Sequence, residues 1–235
     1  IDYVFANTLR RRIIEEVPVM AINECRIVKN ESAMYDEVLA HRLGLIPFIT
    51  DLKSYDLPEE GKKGTKYQLK MTLKVSGPKM VLASDIKSKD PIIKPVYSYI
   101  PIVKLIENQS VEIEMTASLG KGKEHSKFSP GLVYYKGKPI VKVKPTNNEQ
   151  IVNVCPVSVF EMKSGKVVVA REMDCVLCNA CTDISDDVSV DASKKDFVIT
   201  VESWGQLNPS EMIKESIKIL DNKVDDLTSF FKSKK

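Results

Sequence analysis

Three cysteines stand within seven residues, in the pattern Cys175-x2-Cys178-x2-Cys181. A two-residue spacing repeated twice lets three thiolates converge on a compact cluster, each reaching a different iron. A single tetrahedral zinc takes its thiolates more readily from two separated knuckles, and three from so short a run would crowd one ion. The spacing therefore favours an iron–sulfur centre, with zinc and unliganded thiols as the alternatives. Five cysteines, an odd number with three of them crowded together, suit metal ligation better than a secreted disulfide framework. That usage points to a reducing cytoplasm.

The spacing can be set against the bacterial ferredoxin run C-x2-C-x2-C-x3-C-P, in which the Cys-Pro cysteine ligates the other cluster of a two-cluster fold. Here Cys155-Pro156 stands alone, 20 residues ahead of the triplet. Counting back from Cys155, the first triplet would fall on Pro145, Asn148 and Ile151; counting forward from Cys181, the second Cys-Pro pair would fall on Ser185 and Asp186. The segment thus reads as a two-cluster ferredoxin with one cluster erased. The survivor would be held by Cys175, Cys178 and Cys181, with Cys155 as the crossing fourth ligand. Four ligands support [4Fe-4S], whereas a distant cysteine or a lost iron leaves [3Fe-4S]. A segment of some 40 residues rarely buries enough core without a metal or disulfide, so the cluster is expected to staple the fold rather than to work as a redox centre. Cys25 lies in an apolar stretch and reads as a small buried residue.

No catalytic constellation accompanies the cysteines. Gly120-Lys121-Gly122-Lys123 lacks the G-x4-GK[ST] spacing of a phosphate loop and is expected to be a basic turn contacting a protein partner. His41 and His125 have no partner at metal or triad spacing and read as structural. Asp183, Asp186, Asp187 and Asp191 are irregularly spaced and read as a solvated acidic turn rather than a magnesium site. Arg10, Arg11 and Arg12 could touch nucleic acid, but Arg11–Glu15 and Arg12–Glu16 are i,i+4 pairs that neutralise the face locally.

The elements that must position these residues are a mixture of helices and strands. Phe5, Leu9 and Ile13 recur at four-residue spacing and predict a helix over 4–16, ended by Pro18. A strand is expected over 19–28, and a helix over 33–43 that stops at Gly44 with Pro47 beyond. Residues 51–65 form a polar loop. Tyr67, Leu69, Met71, Leu73 and Val75 alternate with Gln68, Lys70, Thr72 and Lys74, a period of two that places one face in a core and one in water. Val111, Ile113, Met115 and Ala117 repeat that pattern, and shorter strands are expected at 132–135, 140–143 and 196–202. Lys232, Lys234 and Lys235 read as a solvated tail.

The last element is a helix from Pro209 to about Phe231, with Asn208 as N-cap, Pro209 in the first turn and Glu211 completing a capping box. Along it Ile213, Ile217, Leu220, Val224, Leu227 and Phe231 follow steps of 4, 3, 4, 3 and 4. That is the seam of a helix packed lengthwise on another helix. At 1.5 Å per residue the helix runs about 34 Å, longer than a small domain covers, so the stripe is expected to meet a partner.

Composition narrows the class. The chain has 235 residues, 43% hydrophobic and 29% charged, with a net charge of +3. That is enough for one large domain or two modest ones, and too weakly basic for a protein that wraps DNA by itself. No run of 18 apolar residues exists to span a bilayer as a helix. The start at Ile1, without methionine, leads us to expect native sequence ahead of it.

Several stretches together resemble the alpha-type RNA polymerase subunits of archaea and eukaryotes: residues 9–22 (LRRRIIEEVPVMAI), 36–48 (DEVLAHRLGLIPF), 120–130 (GKGKEHSKFSP) and 201–220 (VESWGQLNPSEMIKESIKIL). The cysteine insertion narrows the resemblance to the archaeal D-type subunits. The resemblance implies an α+β fold with a split dimerisation domain, 1–34 plus 193–235, ending in the long helix, and a strand ahead of Ile1. It further implies an inserted mainly-β domain over 35–149 and a ferredoxin-like iron–sulfur subdomain over 150–192. It implies a non-catalytic scaffold of DNA-directed RNA polymerase that forms a heterodimer with a small subunit, L. That pair would nucleate assembly with subunits N and P and the large catalytic subunits, touching DNA only through the complex. The competing reading, an electron-transfer subunit of an oxidoreductase, needs little beyond the cluster segment, whereas about four-fifths of this chain lies outside it.

Overall fold

Alternating apolar residues build the central sheet. In a computed structural model that describes residues 1–58 and 64–233, strands β1 (Val19–Asn30), β2 (Leu69–Ser76), β4 (Lys87–Ser88) and β6 (Ser110–Gly120) form an antiparallel sheet of order β1-β6-β2-β4. The pairs Leu69↔Ala117, Met71↔Met115 and Leu73↔Ile113 put the same-parity residues of β2 and β6 on one face. All six are buried. Leu39 and Leu43 of helix α2 (Asp36–Gly44) and Phe48 beyond it pack into the same core. The opposite face is polar: Lys74 pairs with Glu112 at 2.8 Å, and the Lys70 Nζ donates to Thr116 Oγ1 at 2.6 Å. A β3 (Lys79–Leu82) and β5 (Pro101–Leu105) pair, not expected from sequence, completes this part.

The chain divides into two compact units, Arg11–Val133 with Val201–Lys235, and Ile1–Arg10 with Tyr134–Thr200. The boundaries fall inside helix α1 (Tyr3–Glu16) and strands β7 (Gly131–Val143) and β10 (Val188–Ser203). The second unit holds the pair β7 and β10, the short helix α3 (Gln150–Val154) and the hairpin β8 (Phe160–Lys163) and β9 (Lys166–Val169). Tyr3 meets Phe197 edge-on at 4.7 Å, and Phe197 meets Tyr135 at 5.9 Å, fixing the start of α1 within this unit. The long helix α4 (Pro209–Ser233) ends the described chain.

Three expectations need correction. Residues 132–135 and 140–143 belong to one strand, β7, which runs through Pro139 in a two-stranded sheet; proline is tolerated on edge strands. Helix α2 begins at Asp36 rather than residue 33, because Asn30 ties the preceding residues into a turn through Met34 O at 2.8 Å and Asp36 Oδ1 at 2.7 Å. Strand β10 starts at Val188, eight residues before the expected 196. Part of the expected polar loop over 51–65, residues 59–63, lies outside the described residues, as do Lys234 and Lys235.

Candidate metal centre and docking faces

The cysteines are set by turns that fold them back onto a small apolar core. Cys155 ends α3, and its Sγ accepts the Val159 N–H at 3.3 Å. Cys175 follows a 3-10 turn over Glu172–Asp174. That turn is tied to β7 by Lys136, whose Nζ donates to the carbonyls of Met173 and Cys175 at 2.7 Å, and by Glu172, which accepts the Val141 N–H at 2.9 Å. Between the cysteines, Leu177 and Asn179 take positive φ of 60° and 61°. Such a conformation is uncommon for side-chain-bearing residues and coils the backbone tightly between successive thiols.

Cys175 and Cys181 are buried with Ile151, Val159, Phe160 and Val167, Cys155 packs against the same cluster, and Cys178 is exposed. Burial pushes the Cys181 thiol up, and the neighbouring Cys155, Cys175 and Cys178 push it in the same direction. Of the four thiols predicted as ligands, Cys155, Cys175 and Cys181 share one apolar cluster and Cys178 stands outside it. Among the described residues no group of three or more His, Cys, Asp or Glu side chains is drawn up in metal-ligating geometry. The soft all-sulfur donor set, the apolar wall and the N–H on a cysteine sulfur are the surroundings an iron–sulfur cluster takes. Cys25 is elsewhere, half-buried against the sheet core, where burial raises its thiol.

The expected partner stripe lies on α4. Met212 and Ser216 are fully buried and seat the helix on its own chain. The stripe begins one residue further on, about 100° round the helix. Ile213 and Leu220 are half-buried, while Ile217, Val224, Leu227 and Phe231 are exposed, Leu227 by 57% and Phe231 by 63%. Every residue from 221 to 232 is exposed. Phe230, which the spacing missed, adds a further exposed ring against Phe231 at 5.8 Å. The helix start is as expected in part: the Asn208 N–H donates to Glu211 Oε2 at 3.1 Å.

The basic turn at 120–130 is anchored on its own chain while Lys123 stays exposed: Gly122 lies so close to α1 that a Cβ there would sit 2.1 Å from the Ile14 carbonyl oxygen. Lys127 donates to Ile22 O and Asn23 Oδ1. Lys121 approaches Glu16 at 3.5 Å, which also accepts Arg12 at 2.9 Å and Lys223 of α4 at 2.7 Å. Glu16 is thus a nearly buried carboxylate shared by three cations, where sequence spacing indicated only the Arg12 pair. Burial pushes its carboxyl up, but Lys223 and Lys121 outweigh that and hold it below the usual range. The Arg11–Glu15 pair forms at 3.0 Å. His125 is structural, its Nδ1 accepting the Lys127 N–H, and His41 is exposed on α2. Asp183, Asp186 and Asp191 are exposed and Asp187 partly so. Among the described residues no helix is long and apolar enough to cross a membrane.

A family model described as the RNA polymerase Rpb3/RpoA insert domain matches residues 20–131. DNA-directed RNA polymerase subunit Rpo3 of Methanosphaera stadtmanae is 37% identical over 98% of this chain and 91% of its own length. The subunits of the same name from Pyrobaculum calidifontis and Pyrococcus furiosus are 36% and 34% identical, over 94% and 96% of this chain and 85% and 87% of theirs.

Proposed function

The chain belongs to the Rpo3 family of DNA-directed RNA polymerase subunits, and on that premise we propose how it acts. It is a non-catalytic assembly subunit of an archaeal DNA-dependent RNA polymerase. It pairs with the small subunit L along α4, and the pair then gathers subunits N and P and the large catalytic subunits, in the cytoplasm. The exposed apolar stripe from Ile217 to Phe231 carries this reading, because a surface helix that presents such a face to water has its partner elsewhere. The match of the insert-domain family to 20–131 supports a split dimerisation domain, 1–34 plus 193–235, around an inserted domain over 35–149 and a cluster segment over 150–192. The relatives are named as polymerase subunits, which gives the oxidoreductase reading no support.

Leu227→Asp places a charge in the middle of the stripe at a position the lone chain leaves exposed, so it tests pairing without threatening the fold. In co-expression with the small partner it should abolish copurification, as should Leu220→Asp, while Lys218→Glu on the polar face should copurify normally. Wild-type yields of partner with both aspartate variants would place the seam elsewhere.

Cys155, Cys175, Cys178 and Cys181 would hold one iron–sulfur cluster, [3Fe-4S] or [4Fe-4S]. When bound, it supplies covalent cross-links between the α3 end and the cysteine loop. The residues' own part is to gather the thiols: Lys136 and Glu172 fasten the loop to β7, and Leu177 and Asn179 turn it. Anaerobically purified protein should contain iron and acid-labile sulfide, about three or four irons per chain. Stoichiometric zinc without sulfide would overturn this assignment.

A further inference from the structure

Helix α4 is held to its own chain by two unlike means. Its first turns are seated by packing: Met212 and Ser216 are fully buried, and Ile219 and Leu220 are half-buried. From Asp221 to Lys232 every residue is exposed, so burial does not set the direction of the second half. Within that exposed stretch Lys223 reaches back, its Nζ donating to Glu16 Oε1 at 2.7 Å. Lys223 lies about 10 Å along the axis from Ser216 and within about 20° of it around the helix. It therefore continues the seated row of Met212 and Ser216, while the centre of the exposed stripe lies about 80° away.

Glu16 is a fixed anchor for that contact. It is 6% exposed, at the end of α1. Arg12, one turn earlier, donates to the same Oε1 at 2.9 Å, and Lys121 approaches Oε2 at 3.5 Å. The backbone beside it is braced by the 120–130 turn: the Lys123 N–H donates to Glu15 O at 3.0 Å, and Gly122 packs against Ile14. One cation would neutralise the carboxylate. Of the three, only Lys223 belongs to α4, and it links elements 207 residues apart in the chain.

We propose that Glu16 is a positioning residue for pairing: through Lys223 it holds the exposed half of α4 in the direction that the small partner meets, without touching that partner. The proposal rests on the pairing reading above. A helix already held in its bound direction loses less freedom on association. A helix aligned only part of the time binds more weakly in proportion to the aligned fraction. The contact can add no more to pairing than it is worth itself. Lys223 is 43% exposed, and solvent screening limits an ion pair of that kind to about a fivefold effect on affinity.

The test is titration of the full chain with the purified small partner, alongside the melting temperature of the lone chain. Lys223→Ala keeps a strong helix former but cannot reach Glu16, and it should weaken pairing about fivefold. Glu16→Gln should weaken pairing equally, and the double variant no more than either alone, as a single shared contact requires. Lys223→Arg should restore wild-type affinity. Lys121→Ala removes a cation of the same carboxylate that is not on α4, and should leave affinity unchanged. Wild-type affinity in both Lys223→Ala and Glu16→Gln, whatever their melting temperatures, would overturn the proposal, because the carboxylate would then serve the fold alone. Additive losses in the double variant would overturn it too, as would an equal loss in Lys121→Ala. Wild type that does not bind the small partner, or Leu227→Asp that binds it as wild type does, would instead bring down the pairing reading, and this proposal with it.

Discussion

The sheet unit and the cysteine unit bury their cores on different scales. Among the described residues, 22 buried side chains form the sheet core, from Met20 through Leu73 to Leu119, all of them apolar or aromatic. Eight form the cysteine core, and two of the eight are Cys175 and Cys181. Burial of apolar area stabilises by about 25 cal/mol per Å², so the first core can hold a fold by itself. The second has a quarter of its members in thiols whose best use is to bind something. The difference sets a core that packing alone can hold against one that the proposed ligation would complete.

The comparison breaks first at Leu73, which is fully buried at the centre of the sheet. Leu73→Ala should lower unfolding free energy by about 2–5 kcal/mol, read from the denaturant midpoint; a loss under 1 kcal/mol would mean that the sheet core is not the main support of its unit. Next comes Cys181→Ser. If ligation holds the cysteine unit, amide protection over 150–192 should fall about a hundredfold, roughly 2.7 kcal/mol, with protection in β2 and β6 unchanged. Uniform loss across both units would erase the distinction.

Glu16→Gln sharpens it from the sheet side. Lys223 and Lys121 are each at least a third exposed, so after solvent screening the variant should cost only about 1 kcal/mol. Because the folded carboxyl lies below its ordinary value of 4.5, that contribution is present above the unfolded pKa and is lost as pH falls through the folded one. The gap between wild type and variant should therefore close below about pH 4.5; a gap constant to lower pH would assign it to packing. Cys25→Ser, outside the ligand set, should have the smallest effect, less than about 1 kcal/mol, with iron content unchanged.

How much of this was legible in the residues follows from the range of each interaction. The β2 alternation, the Arg11–Glu15 pair and the α4 stripe are local patterns, and each can be read within a few turns or strand positions. Cys155 packs against the same cluster as Cys175, 20 residues on, a proximity that no local periodicity marks; its place in a ligand set is a proposal. Glu16 could not be read this way: its cations at Lys121 and Lys223 lie 105 and 207 residues away. A cleft beside Trp204 draws on residues at 45–47, 97–100, 126–129 and 204–206, and no periodicity marks a surface assembled from four separate stretches. Strand β7 runs unbroken through Gly137 and Pro139, residues that interrupt a strand pattern when only local sequence is read.

The exposed half of α4 has a consequence for supply. Leu227, Phe230 and Phe231 face water in the lone chain, and a patch of that kind raises the tendency of copies to stick to one another. On the proposed pairing, a cell that made this chain in excess of its partner would accumulate aggregation-prone orphans, exposing to chaperones and proteases the same rings that would make the seam. The helix would then couple the abundance of one polypeptide to that of another, and light scattering from the lone chain should rise with concentration and collapse when the partner is added at equal molarity.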